Sequence, residues 1–320
     1  MEPRLLTPDD VLKACERIAP WLPPTPLRRA FALGTQDVRL KLECWQPTGS
    51  FKVRGAINHL RALTEFERKR GVVAASAGNH ALVIAWAAEV LGGRVAVELF
   101  VPESTPRAKL EKLRRFPVTV RVTGATYEDA QDTALAHAAA TGARYVHAFE
   151  DPLTAAGQGT AGLEILEQLP DVSRIVVPVG GGGLISAIAV AVKARAPHVR
   201  IVAVQPEASP SLSESLRLGR PLHRYASAPT LADGVAGGIG DIVFHHRALI
   251  DEVVNVPEPD IERAIVALLV EDQIVVEGSG ALGPAALLGG RLAADPGRTA
   301  VVVTGGNIDS WHLARLLAAH

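Results

Sequence analysis

Aromatic residues make up only 4% of this 320-residue chain, which has a single Met, three Tyr and two Cys. The two cysteines, Cys15 and Cys44, are too few for a disulfide scaffold and lack the spacing of a zinc site, which fits a reducing compartment. Net charge is equally scarce. With 33 basic and 34 acidic side chains leaving −1, bulk electrostatics favour neither nucleic acid nor an anionic membrane as a partner. The most apolar segment, Ala81 to Gly93, is too short to span a bilayer and contains Glu89. The N-terminal MEPRLLTPDD has no apolar core behind a basic segment, so it does not read as a secretory signal. These absences lead to the expectation of a cytoplasmic protein that handles a small molecule.

What is present is a substantial core, with 48% hydrophobic residues arranged in a repeating pattern. Short β-branched runs precede longer Ala- and Leu-rich segments: GVVAAS before NHALVIAWAAEVLG, RVAVELFVP before RAKLEKLRRF, RIVVPVG before GLISAIAVAVKARA, and RTAVVVTGG before WHLARLLAAH. Continuous apolar strands alternating with helices predict an α/β protein with mostly parallel sheets covered on both faces. The stretch Ala148 to Thr160, AFEDPLTAAGQGT, reads as an irregular connection at a lobe boundary, and Ser215 to Asp241 as a long irregular loop. Residues 71–148 are expected to form a smaller domain, and 1–70 with 149–320 a larger one.

Lysine occurs seven times, and most of these residues read as solvated surface charges. Lys52 differs: it lies between Phe51 and Val53, where desolvation would lower its pKa and suit it to attack a carbonyl. A lysine opening an ordinary helix, with its head in water, is the alternative. Three strand-to-helix junctions carry glycines. At RIVVPVGGGGLIS, four consecutive glycines (Gly180 to Gly183) end a strand and open a helix, so unobstructed N–H groups converge as an anion cradle. At VVAASAGNHA, Ser76 stands where an N-cap is expected, with Gly78, Asn79 and His80 in the first turn; a second anion site and plain capping both remain open. At AVVVTGGNID, Thr304 ends a strand at the carboxyl edge of a sheet, where open α/β folds bind ligands. A literal G-x-G-x-x-G at Gly278, Gly280 and Gly283 follows the strand-like QIVVE, but the next strand ends without the acidic residue that a dinucleotide ribose needs.

Taken in order, TGSFKVRGA, SAGNHA, AGQGT, PVGGGGL, LADGV and TGGNID resemble the fold type II pyridoxal-phosphate enzymes from about Pro24 onward. The resemblance is specifically to the threonine/serine dehydratases and their relative serine racemase. It implies two open twisted, mostly parallel sheets, a homodimer, and pyridoxal 5'-phosphate as cofactor. It further implies that Lys52 carries the cofactor and moves the substrate Cα proton, that Phe51 packs beside the ring, and that Asn79 bonds the ring 3-oxygen. Gly180, Gly181, Gly182 and Gly183 match the phosphate loop. Ser76, Asn79 and His80 match the segment that holds the substrate carboxylate, Thr304 faces the pyridine nitrogen, and Glu277 lies near the cofactor without an assigned role.

A threonine hydroxyl is too weak an acid to keep the ring nitrogen protonated, so the cofactor is a modest electron sink, suited to prompt loss of a β-substituent. The activity this implies is β-elimination of L-threonine and/or L-serine to a 2-oxo acid and ammonia. An ammonia-lyase for another β-substituted amino acid and a serine racemase are the nearer alternatives, and a nicotinamide oxidoreductase using Gly278 to Gly283 a remote one. Three positions depart from the relatives' pattern. Ala77 stands where racemases carry a second serine, and Gln205 and Ser211 stand where a divalent-metal site has carboxylates, so no metal is expected.

Overall fold

The computed structural model describes residues 5–34, 37–76, 78–105, 107–293 and 297–319. Its strands, in chain order, are β1 (Leu27–Arg29), β2 (Val38–Lys41), β3 (Val72–Ala75), β4 (Val97–Val101), β5 (Thr119–Val122), β6 (Arg144–Tyr145), β7 (Val172–Pro178), β8 (Arg200–Pro206), β9 (Glu252–Val256) and β10 (Arg298–Val302). The helices are α1 (Pro8–Ile18), α2 (Lys52–Ala62), α3 (Glu65–Arg70), α4 (Asn79–Val90), α5 (Arg107–Leu113), α6 (Tyr127–Thr141), α7 (Pro152–Gln168), α8 (Gly183–Arg195), α9 (Ser211–Leu218), α10 (Asp241–His245), α11 (Glu258–Asp272), α12 (Gly278–Leu288) and α13 (Ser310–Ala319).

Two sheets result. One has the order β1-β2-β10-β7-β8-β9, parallel except for the β1–β2 pair; the other, β5-β4-β3-β6, is parallel throughout. The central strands are buried along nearly their whole length, as expected for sheets covered on both faces. The smaller sheet and its helices lie within residues 72–145, but its core also takes Val53, Ala56, Ile57 and Leu60 of α2 together with Ile18 and Leu22. Helix α2 therefore joins the two halves of the chain.

Three local expectations are corrected. The stretch 148–160 is no irregular connection: α7 begins at Pro152, with Asp151 as its N-cap accepting from the Leu153 and Thr154 N–H groups. The small residues that hide its periodicity are there for close packing, since a Cβ on Gly157 would stand 2.5 Å from the Arg54 carbonyl oxygen of α2. QIVVE, residues 273–277, is extended chain outside any strand, entered through Gln273 at φ 61°. Finally, α4 starts at Asn79 with Gly78 as its N-cap, so Ser76 is not the cap; its Oγ accepts from the Gly78 N–H at 3.1 Å.

Candidate active site

Strands β2, β10 and β7 are neighbours in the larger sheet, and their carboxyl ends deliver residues that are far apart in sequence. The segment after β2 leads into Lys52 at the start of α2, the residue two past β10 is Thr304, and the four glycines follow β7. The start of α2 is tied to the end of β10. The Phe51 N–H donates to the Thr304 carbonyl at 3.0 Å, and Ser50 bridges Gly305.

Lys52 Nζ lies 4.7 Å from the centre of the Phe51 ring. Burial lowers its pKa below the ordinary lysine value, against the pull of the Glu277 and Asp233 carboxylates. The neutral amine, a nucleophile and a base, is thereby made accessible. Thr304 is 4% exposed, at the sheet edge.

The glycine junction is built as a cradle. Among the described residues no protein acceptor takes the N–H groups of Gly180, Gly181, Gly182 or Gly183. Gly182 sits at φ +93°, a left-handed conformation that side chains resist, and turns the chain into α8. A Cβ on Gly181 would stand 2.3 Å from a Phe149 ring carbon, and one on Gly182 would stand 2.2 Å from Val243 Cβ. Unpaired N–H groups at the start of a 13-residue helix suit a phosphate.

From the smaller sheet, the β3–α4 junction contributes Asn79 and His80, whose first-turn N–H groups the helix itself leaves unpaired. Asn79 Nδ2 donates to Glu277 Oε1 at 2.9 Å, and Asn79 Oδ1 accepts from Asn307 Nδ2 at 2.8 Å. Glu277 also accepts from the Asn307 backbone N–H at 3.1 Å. Burial raises the Glu277 pKa, opposed by the Lys52 ammonium and by the bonds from Asn79 and Asn307. Asn307 belongs to TGGNID but carries no role in the sequence reading; only its contacts mark it.

The His80 imidazole turns away from the cleft. Its Nε2 lies 2.9 Å from the Val146 carbonyl, and burial pushes its pKa down to about 3, so the ring is neutral and Nε2 is the donor. Ala77 lies outside the described residues. Beside Asn79, Glu277 and Asn307 opens a cavity of about 780 Å³, also bordered by Asp233 and Gly234 of LADGV.

The decoy glycines are packing residues of α12. A Cβ on Gly283 would meet Val301 Cγ1 at 2.4 Å, and one on Gly280 would meet the Gly305 carbonyl oxygen at 2.6 Å. Gln205 is buried; its Oε1 accepts from the Leu212 N–H at 2.9 Å. Among the described residues no three His, Cys, Asp or Glu side chains group as metal ligands, and no helix is long and apolar enough to cross a membrane.

Residues 18–305 match the family described as pyridoxal-phosphate dependent enzyme, a span that takes in Lys52, the glycine cradle and Thr304. The chain belongs to the pyridoxal-phosphate-dependent enzymes. Within that family it is 46% identical over 283 residues to an L-threonine ammonia-lyase of Thermotoga maritima, covering 88% of this chain and 70% of that protein. Its fold superposes on the T.th. threonine deaminase with a TM-score of 0.87 at 38% identity, covering 95% of this chain and 99% of that one. Against maize serine racemase the TM-score is 0.89 at 32% identity, covering 99% and 98%. The two-sheet, mostly parallel α/β architecture is that of these neighbours. Pyridoxal phosphate combines a phosphate with an aldehyde, and this pyridoxal-phosphate enzyme fits it on its own geometry: unpaired N–H groups in a cradle that a Cβ would fill, and a desolvated amine at the same sheet edge.

Proposed function

We propose that the chain is a threonine/serine ammonia-lyase, eliminating the β-hydroxyl of L-threonine and/or L-serine to give a 2-oxo acid and ammonia. The observation that carries this reading is the meeting of Lys52, Thr304 and the glycine cradle at the ends of three adjacent strands. Its likeness to threonine ammonia-lyases adds support. In this reading Lys52 holds the cofactor, Gly180, Gly181, Gly182 and Gly183 hold its phosphate through their N–H groups, and Phe51 packs beside the ring. Thr304 would offer its hydroxyl to the ring nitrogen, and Asn79, kept in place by Glu277 and Asn307, would bond the 3-oxygen. Bound pyridoxal phosphate supplies an electron-accepting ring that weakens the substrate Cα–H bond.

The chain's own contribution is binding and proton transfer. The N–H groups around Ser76, Asn79 and His80 bind the substrate carboxylate at a helix N-terminus. His80 acts through its backbone here, because its imidazole is committed to Val146. Lys52 Nζ, a base because burial disfavours its charge, takes the Cα proton. The Cβ–O bond breaks and the hydroxyl leaves as water, taking up one proton in place of the one that Lys52 has removed from Cα, so Lys52 returns its proton as the cycle closes. The resulting enamine takes up water and releases ammonia, so oxidation state and atoms balance without a further reagent.

Elimination stands ahead of racemisation because residue 77 is alanine, which has no hydroxyl to move a proton from the opposite face. The same reading carries a homodimeric, cytoplasmic enzyme; the mass of the purified protein in solution checks the dimer, and fractionation of cells checks the compartment. The deciding experiment is 2-oxo acid release from L-threonine and from L-serine with added pyridoxal phosphate, beside Lys52→Ala. Product from the wild type and none from the variant supports the reading. A yellow wild type that yields no product from either amino acid overturns it.

A further inference from the structure

Arg54, two residues after Lys52 in the first turn of α2, is 0% exposed. Each of its five N–H groups has a partner. Nε donates to Glu43 Oε2 at 2.7 Å and Nη2 to Glu43 Oε1 at 2.8 Å. Nη1 and Nη2 donate to the two oxygens of Glu164 at 2.6 and 2.7 Å, and Nη1 also donates to Thr160 Oγ1 at 3.0 Å. Glu43, fully buried, takes the Thr25 hydroxyl as well. Lys41, likewise 0% exposed, completes the group. Its Nζ donates to Glu164 Oε2 at 2.6 Å, to the Thr25 carbonyl at 2.7 Å and to Gln168 Oε1 at 2.9 Å.

Two cations and two carboxylates thus close on one another in the interior and join β2, the turn after it, α2 and α7. Stability alone does not account for them. Buried ion networks give little net stability over apolar residues of the same volume, but they do fix geometry, because every donor and acceptor must meet its partner. Residues 52 and 54 are two apart on a helix, roughly 200° around its axis, so Arg54 anchors the face opposite the Lys52 side chain. On the other side, the Phe51 N–H is held by the Thr304 carbonyl.

We propose that Arg54, with Glu43 and Glu164, is a positioning residue: the network fixes the depth and rotation of the first turn of α2 so that Lys52 Nζ stays at the reacting centre. This rests on the reading of Lys52 as the amine that holds the cofactor. Displacements of about 1 Å at a reacting group cost on the order of 10²-fold in rate.

The test uses the full-length holoenzyme. Arg54→Met combined with Glu43→Gln removes one charge of each sign and leaves the Lys41–Glu164 pair intact. We expect this double variant to bind pyridoxal phosphate and melt within a few degrees of the wild type. Its kcat should fall by about tenfold or more with KM changed by less than about threefold. The pH at which the visible band of the bound cofactor titrates, without amino acid present, should move by about half a unit or more. A folded double variant whose kcat stays within about twofold and whose band titration is unmoved overturns the proposal. Should the double variant fail to fold, Thr160→Val decides. It removes one bond to Arg54 and leaves the charges in place, so an unmoved band titration there also overturns the proposal. Because the titration needs no substrate, a wild type inactive on threonine leaves this test readable.

Discussion

Gly181→Ala is a sharp probe of the cradle because the added methyl has nowhere to go. Gly181 does not sit at positive φ, so alanine meets no conformational penalty and the effect is purely steric. Its Cβ would lie 2.3, 2.4 and 2.4 Å from three Phe149 ring carbons, far inside any contact distance. The ring cannot easily withdraw. It also meets His147 edge-on, with centroids 4.5 Å apart, and His147 Nδ1 is bonded by the Phe149 and Glu150 N–H groups. The loop must therefore move, and overpacking of this kind costs about 1–3 kcal/mol. Expressed at the phosphate donors, that is about a 5- to 150-fold weaker affinity for pyridoxal phosphate. Absorbance titration of the apoprotein with the cofactor measures it, with the apoprotein melting temperature as a control for general damage. Adding Phe149→Ala should open the space and recover most of the affinity. An unchanged affinity in Gly181→Ala, or no recovery in the double variant, would refute the cradle as the phosphate site.

Three further outcomes are expected. Burial holds His80 at about 3 and His147 at about 4, both below the ordinary value of 6.5, so the unfolded chain takes up protons that the folded chain refuses. Stability present at neutral pH is then lost as pH falls from about 6.5 toward 4, by up to about 1.4 kcal/mol per unit for each histidine, and urea denaturation at stepped pH should show the slope, which His80→Gln partly flattens. Gly157→Ala drives a methyl to 2.5 Å from the Arg54 carbonyl oxygen, and should lower stability by about 1–3 kcal/mol in the same assay. Glu277→Ala removes the acceptor of Asn79 and of the Asn307 N–H, so cofactor affinity should fall by about tenfold or more while the melting temperature of the apoprotein changes little. An affinity within twofold of the wild type would remove Glu277 from the site.

The alternation of apolar runs with helical segments made the parallel sheets legible, because strands covered on both faces are written almost wholly in Val, Ile, Leu and Ala. The glycine run was legible too, since four glycines exceed what a turn needs. Helix α7 was hidden for the opposite reason. Its Gly and Ala residues are chosen for close contact with α2 and α8, which erases the polar-apolar period that announces a helix. QIVVE looks like a strand by composition, but among the described residues no neighbouring strand pairs with it, and composition does not encode pairing. The Arg54 network was invisible because Glu164 lies 110 residues from its partner and charged residues ordinarily read as surface. Asn307 stood in a quoted motif, yet its partners Asn79 and Glu277 come from distant stretches that only the fold brings together.

The sheet order also bears on when this protein can acquire its cofactor. Strand β10, near the end of the chain, lies between β2 and β7, with Val38 paired to Thr299 on one side and Arg174 to Thr299 on the other. Until β10 is made, β2 and β7 have no strand between them, and Lys52 and the glycine loop are linked through the packing of α2 and α8 on α7 but not through the sheet. The site is therefore complete only when β10, which leads into Thr304, is in the sheet. A ribosome-bound chain stopped before Arg298 would hold pyridoxal phosphate poorly, and colour would report that β10 has been threaded into place.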